Sequence, residues 1–285
     1  MEDSEVLKTT SMPKLDRLKL ASYLAPNMFW FYEAVAASLG QALGLEVQIL
    51  QSDCDPLQDP IFLQDQLDIA FICGLPFIQY YRHTPQQLSA IAAPVMQRPR
   101  YRNRPVYFAD VIVNADSNIA TFNDLAGKTL CYNDPGSNSG YNLLRQRLIQ
   151  AGHSKDFWGK AILSGSHQRS IRWVIHGLAD CAAIDSTVLE QELQNFPELV
   201  SQLRVVESIG PSPMPPVVLA QHLGPEYIYR IQAALLQPDI ALRSAMERAE
   251  IRRYAAIESK DYEAIAIQYD AALQAGYERL SEIFS

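Results

Sequence analysis

From residue 18 onward, short runs of aliphatic and β-branched residues alternate with longer stretches in which apolar positions recur every three or four residues. That is the pattern of strands and crossover helices in an α/β fold. Residues 18–24 predict a strand, Ala25-Pro26-Asn27 a turn, and residues 28–43 a helix with Phe31, Val35, Leu39 and Leu43 on one face, ended by Gly44. Strands at 45–50 and 67–73 follow, with a polar loop at 53–60 between them, and Gly74-Leu75-Pro76 opens the next helix. An apolar run at 88–96 leads into Pro99-Arg100-Tyr101-Arg102-Asn103-Arg104-Pro105, which its bracketing prolines make a loop. Its arginines and Tyr101 are expected on a solvated rim, with anion capture as the alternative.

A second series of units begins near Asp110. Strands are expected at 107–114 and 127–132, then a helix at 140–151 closed by Gly152, a helix at 168–178, a strand at 181–184, a helix at 186–195 and a strand at 203–207. Gly210-Pro211-Ser212-Pro213-Met214-Pro215-Pro216 carries four prolines and forces an extended, stiff connection, read as the return crossing between two lobes. A strand at 217–220 and helices from residue 225 to the end complete the chain, the last of them, at 261–284, packing across the first lobe. The expected lobes are 15–109 with 214–285, and 110–213. Two crossings between α/β lobes leave a cleft at the carboxyl ends of the strands, where small ligands bind.

Composition narrows the function. With 285 residues, 48% of them hydrophobic, the chain can bury a large core, and a formal net charge of -8 gives no general attraction to nucleic acid or anionic lipid. No apolar run approaches the roughly 20 residues of a membrane-spanning helix. The segment 1–14 lacks the basic start and apolar stretch of a secretory signal. Four cysteines are widely spaced, and Cys73, Cys131 and Cys181 sit in apolar surroundings, as buried free thiols do and as disulfide or metal frameworks do not. No GxSxG, GxGxxG, P-loop lysine or HxxxH pair is present, and no metal or other cofactor is expected.

Three strand-to-helix junctions carry the candidate chemistry. Asp134-Pro135-Gly136-Ser137-Asn138-Ser139-Gly140 precedes a helix whose free amides, with the hydroxyls of Ser137 and Ser139, suit a tetrahedral oxyanion, although the same serines could simply cap the helix. Gly165-Ser166-His167 places a histidine donor at the second junction, or on ordinary surface. Asp185, at the third, either caps the following helix or accepts from a cationic or hydroxyl group of the ligand.

At these residues the sequence resembles the substrate-binding proteins of phosphonate and phosphite ABC transporters. The resemblance runs from about residue 18 to 223 through Leu67-Asp68-Ile69-Ala70-Phe71, Tyr107 with Val111-Ile112-Val113-Asn114, Asp124-Leu125-Ala126-Gly127-Lys128, the Ser137 to Gly140 turn, and Gly177-Leu178-Ala179-Asp180 to Asp185. It implies a two-lobed periplasmic binding protein fold of type II, each lobe a mainly parallel sheet flanked by helices and joined by two crossovers. It also implies that Ser137, Asn138, Ser139 and Gly140 grip the oxyanion, that His167 adds a donor, that Asp185 meets an amino group where the ligand has one, and that Tyr107 and Tyr23 line the cleft. Asn138 stands where the family has threonine, and Ile72 and Cys73 make one wall more apolar than the family pattern. The implied function is capture of a phosphonate, phosphite or phosphate ester by hinge closure, with an ABC permease as partner and a periplasmic location, whereas the segment 1–14 marks no export. The alternatives are a cytoplasmic enzyme on the same fold, resembling those of menaquinone or thiamine-precursor synthesis and acting on a small carboxylate, and a soluble sensor.

Overall fold

The computed structural model describes residues 15–280. Strand β1 (Arg17–Ser22) runs into a 3-10 turn at Pro26–Met28 and helix α1 (Phe29–Leu43). Helix α1 buries Phe31, Val35 and Leu39 at the expected four-residue spacing and ends at Gly44, whose φ of 69° is the left-handed cap that glycine tolerates. Strands β2 (Glu46–Gln51) and β3 (Ile69–Phe71) pair parallel to β1 on either side, with the single turn α2 (Pro60–Leu63) between them in sequence and α3 (Gly74–His83) after them. Strand β4 (Leu88–Met96) completes the first excursion.

The chain then enters the second sheet as β5 (Val106–Asn114), followed by β6 (Thr129–Tyr132), α4 (Leu143–Gln150), β7 (Lys160–Leu163), α5 (His167–Ile175), β8 (Cys181–Asp185) and α6 (Ser186–Asn195). It returns along β9 (Leu203–Pro213), re-enters the first sheet as β10 (Val217–Ala220), and finishes through α7 (Gly224–Leu236), α8 (Ile240–Arg248), β11 (Ile251–Ala256) and α9 (Glu263–Gln274). The sheets have the orders β11-β4-β10-β3-β1-β2 and β7-β6-β8-β5-β9.

The two-lobed architecture matches the sequence-based expectation, and several details correct it. Each sheet is mixed: the three strands feeding crossover helices are parallel, whereas β10, β4 and β11 in one sheet and β5 and β9 in the other are antiparallel to their neighbours. Residues 251–256, read among terminal helices, form the edge strand β11, whose Arg252 and Arg253 are exposed while Ile251 and Tyr254 are buried. Strand β9 runs six residues beyond the expected 207, because a sheet edge accepts the prolines at 211 and 213. The second sheet therefore spans Val106 to Pro213, paired to each other, and these two strands are the crossovers.

Within the Pro99–Pro105 loop Arg102, Asn103 and Arg104 are exposed, as a solvated rim requires, but Arg100 and Tyr101 are not part of that rim. Pro99–Tyr101 is a 3-10 turn, Tyr101 is fully buried with its hydroxyl donating to Ser186 Oγ, and Arg100 makes a bidentate pair with Asp110 at 2.7 and 2.9 Å. Arg98 pairs with Glu250 at 2.6 Å, and both arginines lie near the buried Glu190, so the hinge is crossed by an ion cluster. Burial outweighs these cations and pushes Glu190 up to about 7.

The last helix differs most. It stops at Gln274 and packs on both lobes: Ile265 and Ala266 join the first lobe's core beside Tyr262, and Ala272, Tyr277 and Leu280 join the core of the second. Residues 275–280 leave the helix as turn and bend, which shortens the expected 261–284 helix, and residues 281–284 of it, with the segment 1–14, lie outside the described residues. Cys131 and Cys181 are buried, Cys73 is half-buried and Cys54 is exposed. Among the described residues no helix is long and apolar enough to cross a membrane.

Candidate functional site

In the second sheet the neighbours β7, β6 and β8 run parallel, so their carboxyl ends lie side by side on one edge. The three junctions singled out in the sequence follow these three strands, and Ser137, Ser139, His167 and Asp185 all line one cavity of about 440 Å³ between the lobes. The carboxyl ends of β1, β2 and β3 face it from the first lobe with Tyr23, Asp53 and Phe71. The lobes also touch directly, since Asn27 donates through Nδ2 to Val188 O at 3.2 Å and to Glu192 Oε1 at 3.0 Å on α6.

The Ser137–Gly140 segment runs into a π-helical turn, Asn138–Asn142, that leads into α4. Such a turn widens the spacing of the first amides, and it recurs at functional sites. Ser137 Oγ accepts from Gly140 N at 3.0 Å, which leaves its own hydroxyl proton to donate. A Cβ on Gly140 would lie 1.8 Å from Asn133 Oδ1, so only glycine fits this turn without displacing that side chain. Ser139 Oγ lies 3.3 Å from His167 Nε2. Burial lowers His167 to about 4 and keeps its ring neutral. Its Nδ1 is buried without a partner, so we place the proton on Nε2, where Ser139 Oγ can accept it. His167 then donates to Ser139, and the hydroxyl of Ser139, which also reaches Tyr107, can turn its proton to a ligand oxygen. The site can offer two hydroxyl donors without a formal positive charge on the turn.

Asp185 is a helix cap that also lies on the cavity wall. Its Oδ1 accepts from the amide and hydroxyl of Thr187 at 2.8 and 2.7 Å, capping α6. Desolvation raises it to about 6 despite those bonds. Tyr23 lines the cavity with its hydroxyl committed to Asp59 Oδ2 at 2.8 Å.

Three other expected residues stand behind the lining. Asn138 is fully buried, donating to Tyr107 Oη and Ser212 Oγ, both at 2.9 Å, and accepting from Asn142 Nδ2 at 3.0 Å. Tyr107 is buried on the first crossover and Gly140 sits inside the turn. The carboxamide at 138 is thus no substitute for a ligand-facing hydroxyl; it ties the turn to β5 and β9. The Cys73 thiol, which burial raises to about 11, packs against the Asn138 amide from the other lobe.

Reasoning from sequence missed the aromatic wall. Tyr32 stacks on Phe71 with centroids 4.5 Å apart, and Phe31, Met28, Met96 and Tyr254 complete that side. The position of Tyr32 in the first turn of a helix following β1 was a usable signal, whereas Tyr254 lies on the strand misread as helix. Among the described residues, no group of three or more His, Cys, Asp or Glu could hold a metal ion.

Comparison with known proteins bears on the family and the fold. Residues 20–262 match the family model described as the ABC transporter, phosphonate, periplasmic substrate-binding protein. A curated relative, the probable ABC transporter phosphite binding protein PhnD1 of Prochlorococcus marinus, is 26% identical over 213 residues, covering 72% of this chain and 71% of its own. The structure of PhnD1 in complex with methylphosphonate is similar with a TM-score of 0.77 at 21% identity, covering 91% of this chain and 99% of that one. The binding protein component of an ABC phosphonate transporter from Pseudomonas aeruginosa is similar with a TM-score of 0.80 at 17% identity, covering 92% and 88% of the two chains.

Proposed function

The chain belongs to the phosphonate substrate-binding family of ABC transporters, and from that membership we propose that it captures a small phosphorus oxyanion at the Ser137–Ser139 turn. The family consists of transport receptors that work with an ABC permease, not of enzymes, which sets aside the enzymatic alternative. The observation that supports the turn as the grip is the donor array itself. The Ser137 hydroxyl and the Ser139 hydroxyl beside His167, at the first residues of the turn that leads into α4, face one inter-lobe cavity, where a tetrahedral anion can replace its hydration with fixed donors.

Binding then works by differential contact. The donors lie on the second lobe and the aromatic wall on the first, so a ligand touching both favours the form in which the lobes meet. That closed form is the one a permease would recognise. Methylphosphonate and phosphite, the ligands named for the relatives, are the first candidates.

The test is a thermal-shift titration with methylphosphonate, phosphite and phosphate esters. A ligand at a hundredfold over its Kd adds about 2.7 kcal/mol to the folded state, a shift of about 5–10 °C for a chain of this size. If none of these anions moves the transition, the proposed grip is wrong.

A further inference from the structure

A second cavity, of about 340 Å³, opens where the end of β6, helix α4 and the segment after α9 meet, and it shares no lining residue with the inter-lobe cavity. Arg145 of α4 lines it and is only 2% exposed. The guanidinium carbon lies 5.2 Å from the ring centre of Tyr141 and 4.9 Å from that of Tyr269, so the cation is held beside two aromatic rings.

This arginine is buried without a counterion. Its Nη1 donates to Tyr277 O at 3.2 Å and its Nη2 to Asn142 Oδ1 at 2.9 Å, and both acceptors are neutral. Three of its five N–H groups remain, and Nε, itself buried, has no partner. Burial accordingly holds the guanidinium below its usual value, with no carboxylate near enough to offset the cost. Arg98, Arg100 and Arg147 are all less buried, yet each faces a carboxylate: Glu250, Asp110 and Glu207. Tying α9 to the turn through a carbonyl and a carboxamide requires no charge, and a neutral donor would do it without desolvating a cation. An anion entering the cavity accounts for the charge that the fold does not use.

The rest of the lining sets the charge and shape of that anion. Glu278 and Arg279 are both exposed and opposite in sign, which leaves the cavity with the single charge of Arg145 and suits a monoanion. Tyr132 meets Tyr141 edge to face with ring centres 5.0 Å apart, and Pro135 and Leu280 add apolar surface. The Tyr141 hydroxyl accepts from Leu280 N at 3.1 Å, which leaves its proton to donate. The volume is that of about eleven waters, more than an inorganic anion fills. The planar fork of arginine matches a carboxylate.

We propose that this cavity is a second binding site, for a small monocarboxylate with a flat apolar body, its carboxylate on the Arg145 guanidinium and its body against Tyr132, Tyr141 and Tyr269. The site stands apart from the oxyanion grip and does not depend on it.

The experiment is calorimetric titration of the intact protein with benzoate, its neutral isostere benzamide, and acetate, together with NMR contacts from the benzoate ring protons to the protein. Benzoate is expected to bind at least tenfold more tightly than either of the other two, with ring contacts to Tyr141 and Tyr269. Arg145→Gln is expected to erase its preference over benzamide, and the ligand series and the ring contacts decide the matter if that variant fails to fold. Benzamide binding as tightly as benzoate refutes the anion, and acetate binding as tightly refutes the apolar body. Ring contacts to Tyr32 or Phe71 would put benzoate in the inter-lobe cavity and refute the second site. An intact protein that binds no benzoate overturns the proposal outright.

Discussion

Asn138→Ala is the perturbation that best isolates how the site is held. Asn138 makes three buried hydrogen bonds: two reach the crossovers at Tyr107 and Ser212, and one comes from Asn142 inside the turn. Truncation leaves two hydroxyls and an amide without partners, each costing about 1–3 kcal/mol where water cannot reach. Even at the lower end the sum is about 3 kcal/mol, which for a chain of this length lowers Tm by about 6–12 °C. Asn138→Thr keeps one hydroxyl in place and should recover about a third of the loss. Urea unfolding followed by circular dichroism measures the stability, and calorimetry with methylphosphonate measures the grip, which should weaken at least tenfold because Ser139 is the next residue. A stability loss below about 1 kcal/mol would refute the view that the carboxamide ties the turn to the hinge strands.

Ser139→Ala and His167→Ala should each weaken oxyanion binding about tenfold, as loss of one hydrogen bond to a charged group predicts, while circular dichroism stays native; wild-type affinity in both would sink the donor assignment. The His167 ring should remain neutral from pH 5 to 8 by NMR, its burial-lowered value being about 4, and a titration midpoint above 6 would contradict the packing. Glu190, at about 7 in the fold against 4.5 in an ordinary glutamate, holds a proton between those values that the unfolded chain releases, so stability should fall as pH rises through that window. Glu190→Gln should flatten that slope and gain about 1–2 kcal/mol at pH 8; an unchanged slope in the variant would show that other groups cause it. With a thiol reagent, Cys54 should react fast, Cys73 slowly and more slowly still with ligand bound, and Cys131 and Cys181 only on unfolding, so rapid modification of either buried cysteine would contradict the core.

The parts of this fold that were legible in the sequence are those whose local pattern and tertiary role coincide. Residues 17–51 read correctly because two strands, one amphipathic helix and one glycine cap each carry their own local period or stop signal. Strand β11 was not legible, since an edge strand buries only Ile251 and Tyr254 firmly and puts two arginines outside, a pattern that also fits a helix end. Helix α9 was legible as a helix but not as a bridge, because its two cores are served by different turns of one face. In the site, the three junctions were found because hydroxyls and a histidine stand out where strands end. The burial of Asn138 depends on partners 31 and 74 residues away, and the ion cluster around Arg100 on Glu190 and Ser208, 90 and 108 residues away, which no local window contains.

The C-terminal segment has a consequence for dissecting the molecule. The second lobe's core includes Ala272, Tyr277 and Leu280, and Tyr277 bonds back to Arg145 through its carbonyl and to His153 through its hydroxyl. A fragment cut at the crossovers, residues 106–213, would therefore emerge with an apolar groove where its own tail belongs. Supplied as a separate peptide, residues 263–280 would dock there and restore the fragment in trans. The same peptide leaves the intact protein with no groove to fill, so the receptor can be split into complementing pieces at its tail, and reassembly would itself report whether the two lobes still share one wedge.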